Sequence, residues 1–215
     1  VLEGHSFELP QAYKNGVLIW HPDQRRYSSS RTLTAPELQH VVRACIQQGV
    51  TPFVFTLDED QNSTVYHPAL QTVADRELVR VLGIEDKVSI RSLDEMPADA
   101  AVTHVNSIGA SAAIQSVVRH VEDEAHLVAY SGLSWEGADW YWLDIHHSDA
   151  SKGGAIETLK DLLGLERVIC FGDSGNDLAA AGLGQDARRH ASILASARLG
   201  HEAARVSPDH RRRGL

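Results

Sequence analysis

The sequence predicts a protein of the α/β class, and two stretches in its carboxyl-terminal half carry that prediction. Val168 to Phe171 are four consecutive apolar residues, the pattern of a strand buried on both faces within a parallel sheet. Upstream, apolar residues recur at helical spacing from Ala155 to Leu163, and Gly164 follows as a helix stop. A helix that leads into a buried strand is the repeating unit of an α/β sheet.

Composition limits the partners that we expect. The chain has 215 residues, of which 43% are hydrophobic and 23% charged, as in a globular protein of one or two domains. Its net charge of -9 argues against nucleic acid as a main partner. Cys45 and Cys170 lie far apart, which predicts no disulfide framework and fits a reducing cytoplasm. No stretch approaches the roughly 20 apolar residues that a membrane helix needs.

A polar turn follows the predicted strand directly and carries Asp173, Asn176 and Asp177. Open α/β sheets bind ligands at the carboxyl ends of their strands, and acids clustered there can hold a hard cation. In the other interpretation, Asp173 or Asn176 caps the next helix, because helix caps favour the same residue types.

Lys152 stands at the start of the predicted helix, about twenty residues before Asp173. The helix dipole disfavours a cation in the first turn, whereas a helix N-terminus together with an ammonium group makes a good anion site. We therefore interpret Lys152 and the acids as two halves of one phosphate-and-metal site.

The stretches S-K-G-G-A-I (151–156) and G-D-S-G-N-D (172–177) resemble the lysine motif and the acidic motif of the haloacid dehalogenase (HAD) superfamily, specifically its Cof-type phosphatases. The resemblance implies a HAD-like Rossmannoid parallel sheet, here a partial core, with an inserted α+β cap domain. It implies that Mg2+ is the cofactor and that the partner is a small phosphorylated metabolite.

The same resemblance implies a role for each residue of the two motifs. Asp173 would bind Mg2+ directly and Asp177 would support the metal site. Asn176 would contact the phosphate, and Lys152 would pair with the phosphoryl group and the nucleophile.

The family's nucleophile is an aspartate in an N-terminal D-x-D-x-T motif, which the 215 residues do not contain. Because the chain begins with Val1 and has Met96 as its only methionine, we expect an N-terminally truncated fragment that is inactive as given. The implied chemistry of the full-length protein is Mg2+-dependent hydrolysis of small phosphate monoesters, sugar phosphates in particular, through an aspartyl-phosphate. The alternative is a noncatalytic or vestigial binding module.

The predicted elements divide the chain into a partial core segment (1–15), an α+β cap (16–145), the C-terminal part of the core (146–184) and a basic tail (185–215). In the cap we expect helices to cover one face of a sheet. The tail is either an amphipathic helix with a solvated end, or sequence that is not native, or, as the weakest option, a nucleic-acid arm.

The Tyr13–Gly16 turn resembles the place where Cof-type chains enter the cap, which would put Asn15 near the active-site mouth and in contact with phosphate or substrate. Alternatively, Asn15 is a turn residue that tolerates a left-handed conformation.

Residues in or beside cap loops could stack on and hydrogen-bond a sugar, or a tryptophan there could simply anchor a hairpin; these residues are Trp135, Glu136, Asp139, Trp140, His104 and Asn106. His146 and His147 should point to opposite faces of a strand and are interpreted as structural.

Overall fold

The computed structural model of the protein describes residues 8–29, 31–84, 88–134, 137 and 139–168. Its strands form two sheets. A three-stranded antiparallel sheet contains β1 (Gln11–Tyr13), β2 (Leu18–His21) and β3 (Arg26–Ser29). A six-stranded sheet, in the order β6-β5-β4-β7-β9-β8, contains β4 (Phe53–Leu57), β5 (Ser63–His67), β6 (Ser89–Ser92), β7 (Val102–Ala110), β8 (Leu127–Leu133) and β9 (Trp140–His147).

Four α-helices accompany these strands: α1 (Ala35–Gln47), α2 (Val73–Ile84), α3 (Ser111–Glu122) and α4 (Lys152–Leu163). The sequence T-A-P-E (34–37) predicts a helix start, with a capping threonine, an early proline and a glutamate three residues after the threonine, and α1 begins there. Thr34 is the N-cap, its Oγ1 accepts from the Glu37 amide at 3.5 Å, and the Glu37 carboxylate accepts from the Thr34 amide at 2.7 Å. None of the helices in the described part of the chain is long and apolar enough to cross a membrane.

The six-stranded sheet has two different faces. On one, which we call the helix face, α1 and α3 bury an apolar cluster that includes Val54, Val105 and Leu143. On the other, which we call the polar face, α2 covers only the part around Phe53 and Val65. The expectation that all cap helices cover one face is therefore wrong. Helices α2 and α3 both connect parallel strands, β5 to β6 and β7 to β8, but the two connections run in opposite directions across the sheet. Because such crossovers are right-handed, the two helices lie on opposite faces.

The two sheets are built from different stretches of the chain. The hairpin β2–β3 pairs with β1 and has no strand partner in the six-stranded sheet. The chain reaches the larger sheet at Leu33, which forms a bridge with Val102. The 16–145 cap assigned from sequence thus includes a hairpin that belongs to the smaller sheet.

Candidate functional site

Helix α4 begins as the candidate anion site requires. Ser151 is its N-cap, and the Ser151 Oγ accepts from the Gly154 amide at 3.2 Å. Gly154 lies so close to the Asp149 carbonyl oxygen that a Cβ at this position would overlap it. Gly154 therefore lets the chain fold back tightly at the helix start, where first-turn amides have no partner within the helix.

The N-G turn, which we define as Lys14–Gly16, packs against this helix start. A Cβ on Gly16 would overlap the Ser151 carbonyl oxygen and lie 2.9 Å from the Ala155 Cβ, and Gly16 has a φ of 97°. Only glycine meets both requirements without strain. The structure thus brings the turn that carries Asn15 to the helix start that carries Lys152.

The same turn reaches the polar face of the six-stranded sheet. The Asn15 Nδ2 donates to the Asp144 Oδ2 at 2.5 Å, although 129 residues separate the two in the sequence. The Asn106 Nδ2 lies 3.5 Å from the Asp144 Oδ1 and donates a weak hydrogen bond to it. Asp144 is only 4% exposed, so carboxamide donors offset part of the cost of burying its carboxylate.

Asp144 has titratable neighbours on the polar face. His104 and His146 are directly paired on β7 and β9, and Tyr130 on β8 is paired with Asp144. Burial lowers the pKa of His104 to about 4, an effect that the Asp144 charge partly opposes. Burial, and then the Asp144 charge, raise the pKa of Tyr130. His104 is consequently a neutral imidazole at physiological pH.

A second set of contacts fixes the orientation of the two buried imidazoles. The Thr103 hydroxyl lies 3.1 Å from the Phe55 carbonyl, which can only accept, so the Thr103 oxygen is left to accept from the His104 Nδ1 at 3.0 Å. The His146 Nδ1 likewise donates to the His147 carbonyl at 3.0 Å. His104 also stacks on Phe55 with a centroid separation of 4.2 Å.

Sequence reasoning missed Asp144 and Tyr130. Asp144 lies between Leu143 and Ile145 in a predicted strand, and this period-2 pattern is the signal that could have placed it on the face opposite to them. Tyr130 follows an apolar run and carries no such signal, so its position beside Asp144 depends on the strand pairing. His146 and His147 point to opposite faces as predicted: His146 approaches Tyr130, whereas His147 stacks on His126.

The cap-loop candidates fall in different environments. His104 is buried and Asn106 half-buried on the polar face. Trp140 packs against the apolar cluster under α2, which favours an anchoring role for this tryptophan. The Asp139 carbonyl accepts from the Ser111 amide at 2.9 Å at the start of α3. Trp135 and Glu136 lie outside the described residues.

The acidic half of the predicted site falls on residues beyond Val168, the last residue that the structure describes. Asp173, Asn176 and Asp177 lie outside the described residues, as do the 185–215 tail and all of the predicted core strand except Val168. Within the described ranges, no group of three or more His, Cys, Asp or Glu side chains could hold a metal ion. The candidate Mg2+ ligands are therefore still those predicted from sequence.

Asp58 and Asp60 form the D-x-D pair that comes nearest to a nucleophile motif within the described residues, and its setting argues against that role. The pair lies in the hairpin between the antiparallel strands β4 and β5. Asp58 accepts from the Asn62 amide at 2.7 Å and from the Asn62 Nδ2 at 3.1 Å, which makes it a turn-stabilising residue.

The sequence pattern of the haloacid dehalogenase-like hydrolases matches residues 1–181, and the chain belongs to this family. Over 94 residues it is 36% identical to the Bacillus subtilis protein named "Putative phosphatase YxeH", an alignment that covers 41% of this chain and 32% of that protein. This relative and the resemblance of the two motifs agree on a Cof-type member of the family.

Solved structures of the same class share the fold. The Streptococcus mutans protein SMU.1108c superposes with a TM-score of 0.58 at 13% identity, covering 83% of this chain and 64% of that one. A haloacid dehalogenase-like hydrolase from B. subtilis gives 0.56 at 17% identity, with coverages of 78% and 64%. The α/β fold of the HAD-like hydrolases, predicted from the sequence, is confirmed. The chain spans about a third of YxeH and just under two thirds of these structures.

Proposed function

We propose that the protein to which this chain belongs hydrolyses small phosphate monoesters, with sugar phosphates as the substrate class, in a Mg2+-dependent reaction through an aspartyl-phosphate. The observation that carries the proposal is the packing of the N-G turn against the start of α4. It supports a common site for Lys152 and Asn15 at the edge of the polar face. Family membership supplies the reaction class, hydrolysis.

In this proposal each available group has a chemical task. The Lys152 ammonium and the first-turn amides of α4 bind and orient the phosphoryl group, because together they place positive charge at a helix N-terminus. Asn176 contacts the phosphate, and Asn15 lies at the mouth of the site. Asp173 and Asp177 would hold Mg2+, which supplies neutralisation of phosphoryl charge when bound.

The polar face offers a surface for the sugar, which is the leaving group when a sugar phosphate is hydrolysed. Asn106 and Tyr130 are half-buried there beside Asp144, and the Trp142 ring packs against Gly132 on the neighbouring strand. Aromatic rings next to carboxamide and carboxylate groups suit a polyhydroxylated group that is stacked and hydrogen-bonded. Such a surface would accept the sugar of a sugar phosphate.

Phosphate binding tests the anion half of this site. A calorimetric titration of the full chain with inorganic phosphate, in the presence of Mg2+, should show weak binding. Lys152→Ala should abolish this binding. Lys160→Ala is the matched control, because Lys160 lies at the other end of the same helix and pairs with Glu157 at 3.4 Å. Equal effects of the two substitutions would contradict the assignment of Lys152.

The second candidate is a noncatalytic binding module, favoured by the lack of D-x-D-x-T in the 215 residues. We expect the chain as given to leave p-nitrophenyl phosphate unhydrolysed, because Lys152 and Asp173 can position and neutralise but cannot provide the attacking carboxylate. Turnover that disappears in Asp173→Ala would show that another nucleophile lies within the chain. If the coding sequence upstream of Val1 encodes an apolar β-strand that ends in D-x-D, this would favour the enzyme over the binding module.

A further inference from the structure

Three consecutive residues of the N-G turn contact three different parts of the protein. Lys14 places its Nζ 5.8 Å from the centre of the Phe55 ring, on the polar face. Asn15 donates to Asp144 on β9 of the same face. Gly16 packs on the backbone of Ser151 at the start of α4. The turn is therefore wedged between the six-stranded sheet and the helix that carries Lys152.

The backbone of this turn is strained at Lys14, where φ is 50°, and less so at Asn15, where φ is 57°. Glycine accepts the φ of 97° at position 16 without strain. Left-handed conformations are unfavourable for residues other than glycine, least so for asparagine and aspartate. A lysine keeps such a conformation only where its surroundings hold it there. The Asn15–Asp144 hydrogen bond can hold it, because one partner is a carboxylate and the bond is therefore of the stronger kind.

We propose that Asn15 and Asp144 form a latch, in which Asp144 fixes the strained N-G turn on the polar face and so sets the spacing between the six-stranded sheet and the start of α4. Asp144 is a positioning residue in this arrangement and acts through Asn15. The latch follows from described contacts alone. Only the consequence of this spacing for phosphate binding at Lys152 rests on the proposed function.

The chain offers a charge-preserving swap that tests the latch. Asn15→Asp alone places two carboxylates against each other. Asn15→Asp combined with Asp144→Asn restores a hydrogen bond, in which position 144 donates and position 15 accepts. Aspartate tolerates the left-handed conformation of position 15 nearly as well as asparagine does. The carbonyl oxygen of an asparagine at position 144 can still accept from Asn106. Asn106→Ala is the matched control. It removes the other hydrogen-bond donor to Asp144 and leaves the Asn15–Asp144 hydrogen bond intact.

Hydrogen-deuterium exchange of the full chain, followed in the segment from Gln11 to His21, gives the readout. Asn15→Asp should speed exchange in this segment by about tenfold or more. The double variant should return it close to the wild-type rate, and Asn106→Ala should leave it unchanged. Exchange in the double variant that is as fast as in Asn15→Asp, or no acceleration in Asn15→Asp, would overturn the latch.

If Asn15→Asp does not fold, the double variant decides the question. A folded double variant with a melting midpoint near that of the wild type supports the latch, and a double variant that fails to fold overturns it. Since neither measurement needs phosphate, Mg2+ or turnover, failure of the latch is distinguishable from failure of the proposed function.

Discussion

Gly16 lies against the carbonyl oxygen of Ser151, at a separation that leaves no room for a side chain. This contact joins the N-G turn to the residue that caps α4, one position before Lys152. The sequence separates the two by 135 positions, so the contact is a property of the fold and not of either motif.

Substituting Gly16 tests this contact directly. Gly16→Ala should lower the free energy of unfolding by about 2–4 kcal/mol, since it adds an overlap with backbone atoms to the cost of a left-handed alanine. Gly49→Ala is the matched control: Gly49 has a φ of 66° and nothing within 4 Å of a Cβ, so only the conformational cost of a left-handed alanine, about 1–2 kcal/mol, applies. Urea unfolding measures both values, and equal losses would contradict the close contact.

The buried imidazole of His104 predicts a pH dependence of stability. Burial lowers its pKa from 6.5 to about 4, so the unfolded chain takes up the proton at a higher pH than the folded one. The stabilising contribution is complete above about pH 6.5 and is lost as the pH falls to about 4. Over this interval the loss should approach about 3 kcal/mol.

A variant without the imidazole isolates this contribution. The difference in unfolding free energy between the wild type and His104→Gln should shrink as the pH falls from 7 to 4.5, because only the wild type carries this proton linkage. Carboxylates titrate in both proteins and cancel in the comparison. Parallel stability curves would show that His104 is not desolvated as described.

Cys45 should be chemically inert in the folded protein. The residue is fully buried in the cluster under α1, and burial raises the pKa of its thiol to about 12, although a hydrogen bond with Ser107 opposes the shift. Since the thiolate is the reactive form, iodoacetamide at pH 8 should label Cys45 only after denaturation. Peptide mapping distinguishes it from Cys170, and rapid native labelling of the Cys45 peptide would contradict the burial.

Local sequence signals predicted the elements well where one short segment determines them. The capping box at Thr34 and Glu37 fixes the start of α1, and the N-G turn leads into β2 as expected. Strand β7 was harder: the sequence predicts a strand that ends at Val105 and a helix from Ala110, whereas the strand continues to Ala110. It extends because residues as far as Ala110 pair with β9, up to the partner Trp140.

Longer-range features could not be predicted from local patterns. The face that α2 covers depends on the crossover between β5 and β6, and amphipathic periodicity is the same for either face. The role of Asp144 depends on Asn15, a partner 129 residues away. Lys152 was recognised from its motif, but the packing of the N-G turn on Ser151 and Ala155, at the start of the same helix, required the fold.

The central claim is that Lys152 and the acids of the G-D-S-G-N-D motif form one phosphate site. A crystal structure of the chain grown with inorganic phosphate and Mg2+ tests it most directly. We predict that the Lys152 ammonium and the Asp173 and Asp177 carboxylates face the same crevice, close enough for one phosphate to bridge them, whether or not an ordered Mg2+ is present. A structure in which Lys152 and Asp173 lie on opposite faces of the sheet that contains the predicted 168–171 strand would contradict the site and, with it, the proposed phosphatase function.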